Sequence, residues 1–389
     1  MSKTEYIFFQ IIQVSPCNRR YLTFIPTSLE WEQVFDLAKK QALIGICFHG
    51  LQKLPKEQLV NLPTTLKMKW LALTASIQKR NELMNKHCQD LQITLANAGF
   101  KNCILKGQGM AALYWIDEQE KGKNAKNLGS FRQSGDIDVY VDANREDVIR
   151  YALSLSNSLP DWDYKHLHLK VYKDVEVEVH YVPEVFLNLW KNRKLQRWFI
   201  NHKNWIFDSK SKNLQKNNFD TPSLEFNLFY ILLHIYRHFL YEGVGLRQLM
   251  DYYFVLRAYS YSIKNNDSKT EIIKTIDSFG MTRFARGIMW VLVEIFEGGK
   301  ISSELSSLNL FKEDKKEGRY ILSQIMVGGN FGHYDERLKT NKKGKFGTIS
   351  KIFRHNLHLL SHYPSDVIWA PIWVGWHWIW KRMNINKFN

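Results

Sequence analysis

The sequence predicts an α+β fold in which a small α/β unit lies between helical regions at both ends of the chain. Apolar residues recur every three or four positions before about residue 99 and after about residue 186, which is typical of packed helices. Between these regions, short apolar runs and one alternating run indicate strands. With 389 residues, of which 45% are hydrophobic and 24% charged, the chain can form two or three domains with a sizeable core.

The first predicted helices are amphipathic. One begins near Trp31, and a longer one runs from about Leu66 to Ala98. Gly99 would end the longer helix, because glycine adopts the left-handed conformation at little cost. The buried stripe of this helix alternates spacings of four and three residues, at Met84, Cys88, Leu91, Leu95 and Ala98.

The central unit is predicted to alternate strands with short helices and turns. Its elements are a strand at 100–105, a turn at 106–109, a short helix at 110–115, a polar loop at 118–129, a strand at 137–141, a helix at 145–155, and strands at 166–172 and 175–182 joined by a hairpin turn. The sequence therefore divides into a helical region at 1–99, an α/β core at 100–185, a helical domain at 186–335, and a basic, Trp-rich segment at 336–389. The best helices of the third segment are predicted at 225–239 and 246–259.

The charge and the cysteines limit the partners and the compartment. The formal charge of +16 favours acidic binding partners such as nucleotides, nucleic acid or an anionic membrane surface. The alternative is a basic surface that is simply solvated. The four cysteines form no CxxC pair, and Cys88 and Cys103 lie in apolar contexts typical of buried thiols, which indicates a reducing compartment. The N-terminal apolar run lacks a cleavage site, and no apolar run reaches the roughly 20 residues of a spanning helix. We expect a cytoplasmic protein.

Two aspartates at the start of the predicted strand at 137–141, one just before it and one within it, are the first candidate site residues. Alternate side chains of a strand share a face, so Asp136 and Asp138 would lie together while Ile137 enters the core. When two carboxylates lie this close together, both stay ionised only if a positive charge lies beside them. Mg²⁺ is a suitable ion, because it prefers oxygen ligands. Gly135 leaves room for a ligand near the backbone. An Asp-x-Asp alone is also found at solvated strand ends.

The predicted strand at 175–182 offers a further ligand. Its apolar face carries three valines, whereas Glu176, Glu178 and His180 share the other face. This polar face either lies in water at a sheet edge or supplies a third carboxylate beside the aspartates. Two metal ions held by three carboxylates suit phosphoryl chemistry.

Three residues are candidates for binding phosphate. Lys106 and Gly107 end the first strand at the start of a helix, where backbone N–H groups hold phosphate oxygens and Lys106 adds a charge. Arg132 would contact a phosphate or pair with a structural carboxylate. A surface lysine in a turn is the ordinary alternative for Lys106.

Several motifs between about residues 30 and 380 carry a family resemblance. They are Leu105-Lys106-Gly107, Ala112-x-Tyr114, Arg132-x-x-Gly135-Asp136-Ile137-Asp138, Glu178-Val179-His180-Tyr181, Leu246-Arg247-x-x-x-Asp251 and Gly328-Gly329-Asn330-Phe331-Gly332. In these motifs the chain resembles a bacterial family of uncharacterised nucleotidyltransferases within the DNA polymerase β-like superfamily. The resemblance implies a small mixed-sheet core of the polymerase β type.

The resemblance also implies a ligand set and a substrate. Asp136, Asp138 and Glu178 match the three superfamily carboxylates that bind two Mg²⁺ (or Mn²⁺) ions, with Glu176 as the alternative to Glu178. A nucleoside triphosphate such as ATP would be the donor, bound through Lys106 and Gly107 with Arg132 and Gly135. The loop departs from the superfamily form, which is a glycine followed by Gly or Ser.

Other residues remain open between structural and functional interpretations. His234 and His238 are four residues apart on a predicted helix and favour a structural or substrate-cleft role over zinc, while Arg247 and Asp251 either pair on a helix or face the nucleotide. The tryptophans at 369, 373, 376 and 380 share one helix face. We expect this face to pack on the protein's own core rather than on the inner membrane face.

The sequence thus predicts a metal-dependent enzyme that moves a nucleoside monophosphate from a triphosphate to a hydroxyl or phosphate acceptor and releases pyrophosphate. The acceptor stays open among small molecules, saccharides, RNA and protein. Two alternatives belong to other classes: an Asp-x-Asp glycosyltransferase that uses a nucleotide-sugar, and a non-catalytic RNA-binding protein.

Overall fold

The computed structural model describes residues 1–114, 128–156, 158–207, 218–262, 266–336, 354 and 357–385. As predicted, the fold is α+β, with one four-stranded mixed sheet and helical regions at both ends of the chain. The chain forms two compact units. The helical unit comprises Met1–Met84, Met110–Ser134 and Gly243–Tyr334, and the sheet unit comprises Asn85–Gly109, Gly135–Glu242 and Asp335–Asn389. The four segments predicted from the sequence stay predictions.

The first two helices of the helical unit begin at reciprocal caps. The Ser2 hydroxyl accepts from the Glu5 backbone N–H while the Glu5 carboxylate accepts from that of Ser2, and Thr27 and Glu30 repeat the arrangement. The described helices of this unit are Lys3–Val14, Ser28–Lys40, Ile44–Lys53, Leu246–Ser262, Asn266–Ser278, Thr282–Phe296, Ser303–Leu308 and Lys315–Gly328, with 3₁₀ turns at Lys56–Leu59, Leu128–Phe131 and Asn330–Gly332. The long helix Thr64–Asn97 belongs to this unit as far as Met84.

The sheet has the order β1-β2-β4-β3, where β1 is Asn102–Ile104, β2 Ile137–Val141, β3 His166–His168 and β4 Val177–His180. Strand β2 pairs antiparallel with β1 and parallel with β4, and β3 pairs antiparallel with β4. The prediction for β2 is confirmed residue by residue, whereas β1, β3 and β4 are shorter than predicted. Val139, Val177 and Val179 are fully buried on the face that turns away from the polar side chains.

The helices of the sheet unit complete its core. They are Arg145–Leu155, Leu189–Asn201, Lys203–Ile206, Leu224–Tyr241, Pro364–Val367 and Trp369–Ile385, together with the first two residues of the short helix Gln108–Ala111. Asn144 caps the helix Arg145–Leu155, whose bounds are those predicted. The helices predicted at 225–239 and 246–259 are both present and slightly longer, at Leu224–Tyr241 and Leu246–Ser262.

The Trp-rich helix Trp369–Ile385 packs on its own unit with the predicted face. The rings of Trp373, Trp376 and Trp380 all lie edge-on to Tyr164, at centroid distances of 5.6, 5.4 and 5.3 Å. The guanidinium of Arg145 lies 4.5 Å from the ring centroid of Trp380. The tryptophan stripe is therefore covered by the chain itself.

Among the described residues, no helix combines the length and the apolar content that crossing a bilayer requires. Residues 118–127 of the predicted loop at 118–129 lie outside the described residues. Of the basic, Trp-rich segment predicted at 336–389, residues 337–353, 355–356 and 386–389 lie outside them.

Candidate active site

The polar face of the sheet brings together residues that are 40 positions apart in the sequence. In the parallel pair of β2 and β4, Asp138 lies directly opposite Glu178, and Ile137 lies opposite Val177. Directly opposite residues project from the same face, so the two carboxylates are neighbours. Asp136 lies immediately before the first residue of β2.

Asp138 is held between two basic side chains. Its Oδ1 lies 3.0 Å from the Lys106 Nζ and accepts a hydrogen bond of 2.9 Å from the His180 Nε2. Burial acts to raise the pKa of the Asp138 carboxyl, but Lys106 and His180 outweigh it and hold the pKa below its ordinary value. Asp138 is therefore a buried, ionised carboxylate.

Glu178 shares the same histidine. Its Oε2 lies 3.2 Å from the His180 Nε2 and 3.5 Å from the His166 Nδ1. Burial acts to raise the pKa of Glu178, but the hydrogen bond from His180 and the charges of His180 and Lys106 bring it far below its usual range. His180 is fully buried, and Asp138 and Glu178 raise its pKa against the effect of burial.

Glu176, the alternative third ligand, has different surroundings. Its side chain is 73% exposed, against 18% for Glu178, and its nearest basic atom is the His168 Nδ1 at 3.5 Å. The geometry favours Glu178, because only this glutamate lies opposite Asp138 in the register.

The site carries an excess of negative charge. The neighbouring charge of Asp138, followed by burial, raises the pKa of Asp136, although Lys106 partly opposes it. A cation between the carboxylates would relieve this repulsion, and ligands that are mainly carboxylate oxygens suit Mg²⁺ or Mn²⁺. One ligand atom from each of Asp138, Glu178 and His180 lies within 4.8 Å of the others. The residues present therefore fit a divalent ion.

The turn after β1 carries the predicted phosphate-binding residues. Leu105 still pairs with β2, since its N–H donates to the Asp138 carbonyl at 2.9 Å. Gly107 has a φ of 61°, which only glycine adopts without strain, and a Cβ there would come within 3.6 Å of the Asp136 carbonyl oxygen. Gly135 is exposed at the start of β2. The turn thus presents Lys106 and a bare backbone beside the aspartates.

Arg132 lies in the helical unit and pairs with a carboxylate there. Its Nε and Nη2 donate to the two oxygens of Asp251, each at 2.7 Å, and the Tyr114 hydroxyl donates to Asp251 Oδ1 at 2.7 Å. The Arg247 Nη1 donates to the Gln133 carbonyl oxygen at 2.8 Å. This is the structural pairing named from the sequence as one alternative for Arg132, and a contact with phosphate stays a prediction.

Replacing Asp251 with asparagine should destabilise the helical unit by about 3–5 kcal/mol, because the buried guanidinium of Arg132 would lose its counter-charge. Urea unfolding followed by circular dichroism measures the loss. Asp161→Asn is the control: the Asp161 side chain is 78% exposed beside Lys381, so this change should cost less than about 1 kcal/mol. Equal stability of the two variants would contradict a structural role for the Arg132 pair.

A second buried ion cluster escaped the sequence analysis. Glu184 is fully buried, its Oε2 accepts from the His234 Nδ1 at 3.0 Å, and its Oε1 lies 3.0 Å from the Arg237 Nε and 3.5 Å from the Lys165 Nζ. His238 pairs with Glu242 at 2.8 Å. The two helix histidines therefore each contact a carboxylate, which agrees with a structural or cleft role. Glu184 was not identified from the sequence because it is far from His234 along the chain.

His166 and His168 were also missed as site residues. They alternate on β3 around the buried Leu167, and in the antiparallel pair with β4 they lie opposite His180 and Glu178. Burial and the neighbouring His180 lower the pKa of His166 to about 4. The alternation of two histidines in a predicted strand is the sequence pattern that could have identified them.

Of the comparisons with known proteins, the one with protein families gives a match. The protein family described as "Uncharacterised nucleotidyltransferase" matches residues 27–297, a range that includes both aspartates, Glu178 and Lys106. Neither the curated proteins nor the solved structures contain a match. The match covers more than half of the chain.

Proposed function

Because this chain belongs to the family of uncharacterised nucleotidyltransferases, we propose that it moves a nucleoside monophosphate from a triphosphate to a hydroxyl or phosphate acceptor. The supporting observation is the opposition of Asp138 and Glu178 on adjacent parallel strands, with the Lys106 ammonium 3.0 Å from Asp138. Phosphoryl chemistry needs charge held at fixed positions around the reacting phosphate, and this face provides it.

The metal ligands in this proposal are Asp136, Asp138 and Glu178. Two Mg²⁺ or Mn²⁺ ions bound there would lower the pKa of the acceptor oxygen and neutralise the leaving pyrophosphate. His180 fixes the orientation of Asp138 and Glu178 through its Nε2. The acceptor oxygen bonds to the α-phosphorus while the bond from that phosphorus to the bridging oxygen breaks, so pyrophosphate leaves.

The turn after β1 binds the triphosphate in this proposal. Lys106 supplies a positive charge to the phosphate oxygens, and Gly107, with no side chain, lets the backbone approach them. Gly135 leaves space beside Asp136 in the same way. ATP is one candidate donor among the nucleoside triphosphates.

The donor distinguishes the proposed activity from its alternatives. The protein is incubated with each nucleoside triphosphate or each sugar nucleotide, with Mg²⁺ or Mn²⁺ and a cell extract as the source of acceptors, and pyrophosphate is measured. We expect pyrophosphate from a triphosphate. Release of a nucleoside diphosphate from a sugar nucleotide would instead indicate a glycosyltransferase. RNA binding with a steep salt dependence and no turnover would indicate a non-catalytic protein.

We also propose that the sheet unit contacts the anionic inner face of a membrane, which keeps the protein peripheral to the membrane on its cytoplasmic side. The Trp-rich helix also exposes apolar side chains outside its packed tryptophans, and these side chains are between 36% and 72% exposed: Ile372, Val374, Trp378, Ile379 and Met383. The helix Leu189–Asn201 lies alongside, since the rings of Trp190 and Trp369 are 5.0 Å apart.

Charge selects an anionic lipid surface as the partner. The helix Leu189–Asn201 has four basic residues and no acidic one, and Arg193, Lys194 and Arg197 are exposed. Exposed aliphatic side chains with tryptophans beside clustered basic groups are typical of helices that lie in a membrane interface.

Ile379→Glu should therefore weaken binding to phosphatidylserine-containing vesicles by about tenfold or more, because an apolar side chain no longer enters the interface. Co-sedimentation measures the partitioning. Ile93→Glu is a matched control, since Ile93 and Ile379 are both 53% exposed, and it should bind like the wild type. Equal binding of the two variants, or equal binding to neutral vesicles, would contradict the proposal.

A further inference from the structure

A group of histidines extends the polar face of the sheet beyond the proposed carboxylate site. His166 and His168 lie on β3, which pairs antiparallel with β4. In this pair His166 lies opposite His180, and His168 lies opposite Glu178. One ligand atom from each of His166, His168 and Glu178 lies within 4.8 Å of the others. Imidazole nitrogens and a carboxylate oxygen are thus collected on one face.

One ring nitrogen of His166 and one of His168 make no hydrogen bond with the described residues. The Nδ1 atoms of His166 and His168 are buried and make none with the described residues. The nearest acidic oxygens are those of Glu178 and Glu176, each 3.5 Å from one of these nitrogens. Buried polar atoms without a hydrogen-bond partner are rare, and each needs an explanation such as a bound ion.

The side chains themselves are partly exposed. His166, His168 and Glu178 are 14%, 29% and 18% exposed, so the group lies near the protein surface. The His166 Nε2 lies 3.9 Å from the Asp163 Oδ2. At this distance the carboxylate makes an electrostatic contact, not a hydrogen bond, with the second ring nitrogen.

We propose that His166, His168 and Glu178 bind one divalent transition-metal ion, with Glu178 shared between this ion and the carboxylate site. Two imidazoles with one carboxylate suit Zn²⁺, Mn²⁺, Fe²⁺ or Co²⁺ and are poor ligands for Mg²⁺. Three protein ligands leave further coordination positions open. Ion binding here does not depend on the proposed function, whereas the sharing of Glu178 rests on it.

Titration of the chelator-treated full chain with Co²⁺ tests the site, because nitrogen-bound Co²⁺ absorbs visible light. The titration contains excess Mg²⁺ to occupy the carboxylate site and no nucleotide. We expect one Co²⁺ per chain in the wild type. His166→Ala and His168→Asn should each weaken Co²⁺ binding by at least about tenfold. The asparagine variant keeps a polar side chain on β3 in case the alanine variant fails to fold.

Two controls separate this site from its neighbours. His87→Ala removes a histidine that lies 3.3 Å from a carboxylate outside the group, Asp174, and should bind Co²⁺ like the wild type. The double variant Asp136→Asn and Asp138→Asn should lose nucleotidyl transfer and keep the Co²⁺ absorption. Wild-type affinity in both histidine variants, or loss of Co²⁺ from the double variant alone, would overturn the proposal whatever the fate of the proposed activity.

Discussion

Asp138→Asn should lower metal-dependent pyrophosphate release by about three orders of magnitude. The amide keeps the shape of the side chain but removes the charge that Lys106 and His180 surround and that a metal ion would share. A bound divalent ion contributes several kcal/mol to a phosphoryl transition state, and about 4 kcal/mol corresponds to a thousandfold change in rate. Initial rates of pyrophosphate formation at saturating triphosphate measure the effect.

A control variant just after the same strand tests whether the loss of activity comes from the charge of Asp138. Asp142 follows β2 and pairs with Lys203 rather than with Lys106, so Asp142→Asn should keep nearly the wild-type rate. Asp136→Asn should behave like Asp138→Asn. If Asp138→Asn retained more than a tenth of the wild-type rate while remaining folded, the carboxylate pair would not be the catalytic metal site.

The second large effect concerns the third carboxylate. Glu178→Gln should also reduce the rate by at least a hundredfold, whereas Glu176→Gln should leave it within about threefold of the wild type, since only the first removes a metal ligand. Glu178 lies in β4 and Glu176 lies just before it, and the two have the same chemical type, but their side chains are 18% and 73% exposed, respectively. The comparison therefore holds the substitution constant and changes only the position.

The metal requirement gives the same comparison a second readout. If Glu178 is a ligand, raising the Mn²⁺ concentration should recover part of the activity of Glu178→Gln, because a weakened site still fills at higher metal concentration. The opposite ranking, with Glu176→Gln inactive and Glu178→Gln active, would assign the third ligand to Glu176.

The fold was predictable wherever the periodicity of the sequence was strong. The alternation around Ile137 predicted β2 with its observed ends, and the helix at 145–155 was also predicted with its observed ends. The strands β3 and β4 were predicted too long, because alternation continues past the residues that form ladder pairs. Periodicity reports which face is buried and does not report where a neighbouring strand stops.

The acidic residues of the candidate site could be predicted from the sequence, but the basic side chains that contact them could not. Asp136, Asp138 and Glu178 follow from spacing and from the family motifs. That Lys106 touches Asp138, and that His180 bridges Asp138 and Glu178, depends on the β2–β4 register, which no local pattern specifies.

Long-range ion pairs were the least predictable feature. Arg132 and Asp251 are separated by 119 residues, and neither spacing nor composition links them. A helix-face pairing of Arg247 with Asp251 was the local alternative, but the carboxylate of Asp251 bonds to Arg132 and Tyr114. The tertiary fold, rather than the helix repeat, selects the partner of this aspartate.

The central claim is that this chain transfers the α-phosphoryl group of a triphosphate together with its nucleoside, and the position of a label tests it most directly. Parallel reactions contain the same triphosphate labelled at either the α- or the γ-phosphate, with Mg²⁺ and the acceptor-containing extract. The α-label should enter a product that the Asp138→Asn variant does not form, and the γ-label should appear in pyrophosphate. Entry of the γ-label into the product, with none from the α-position, would identify a kinase and contradict nucleotidyl transfer.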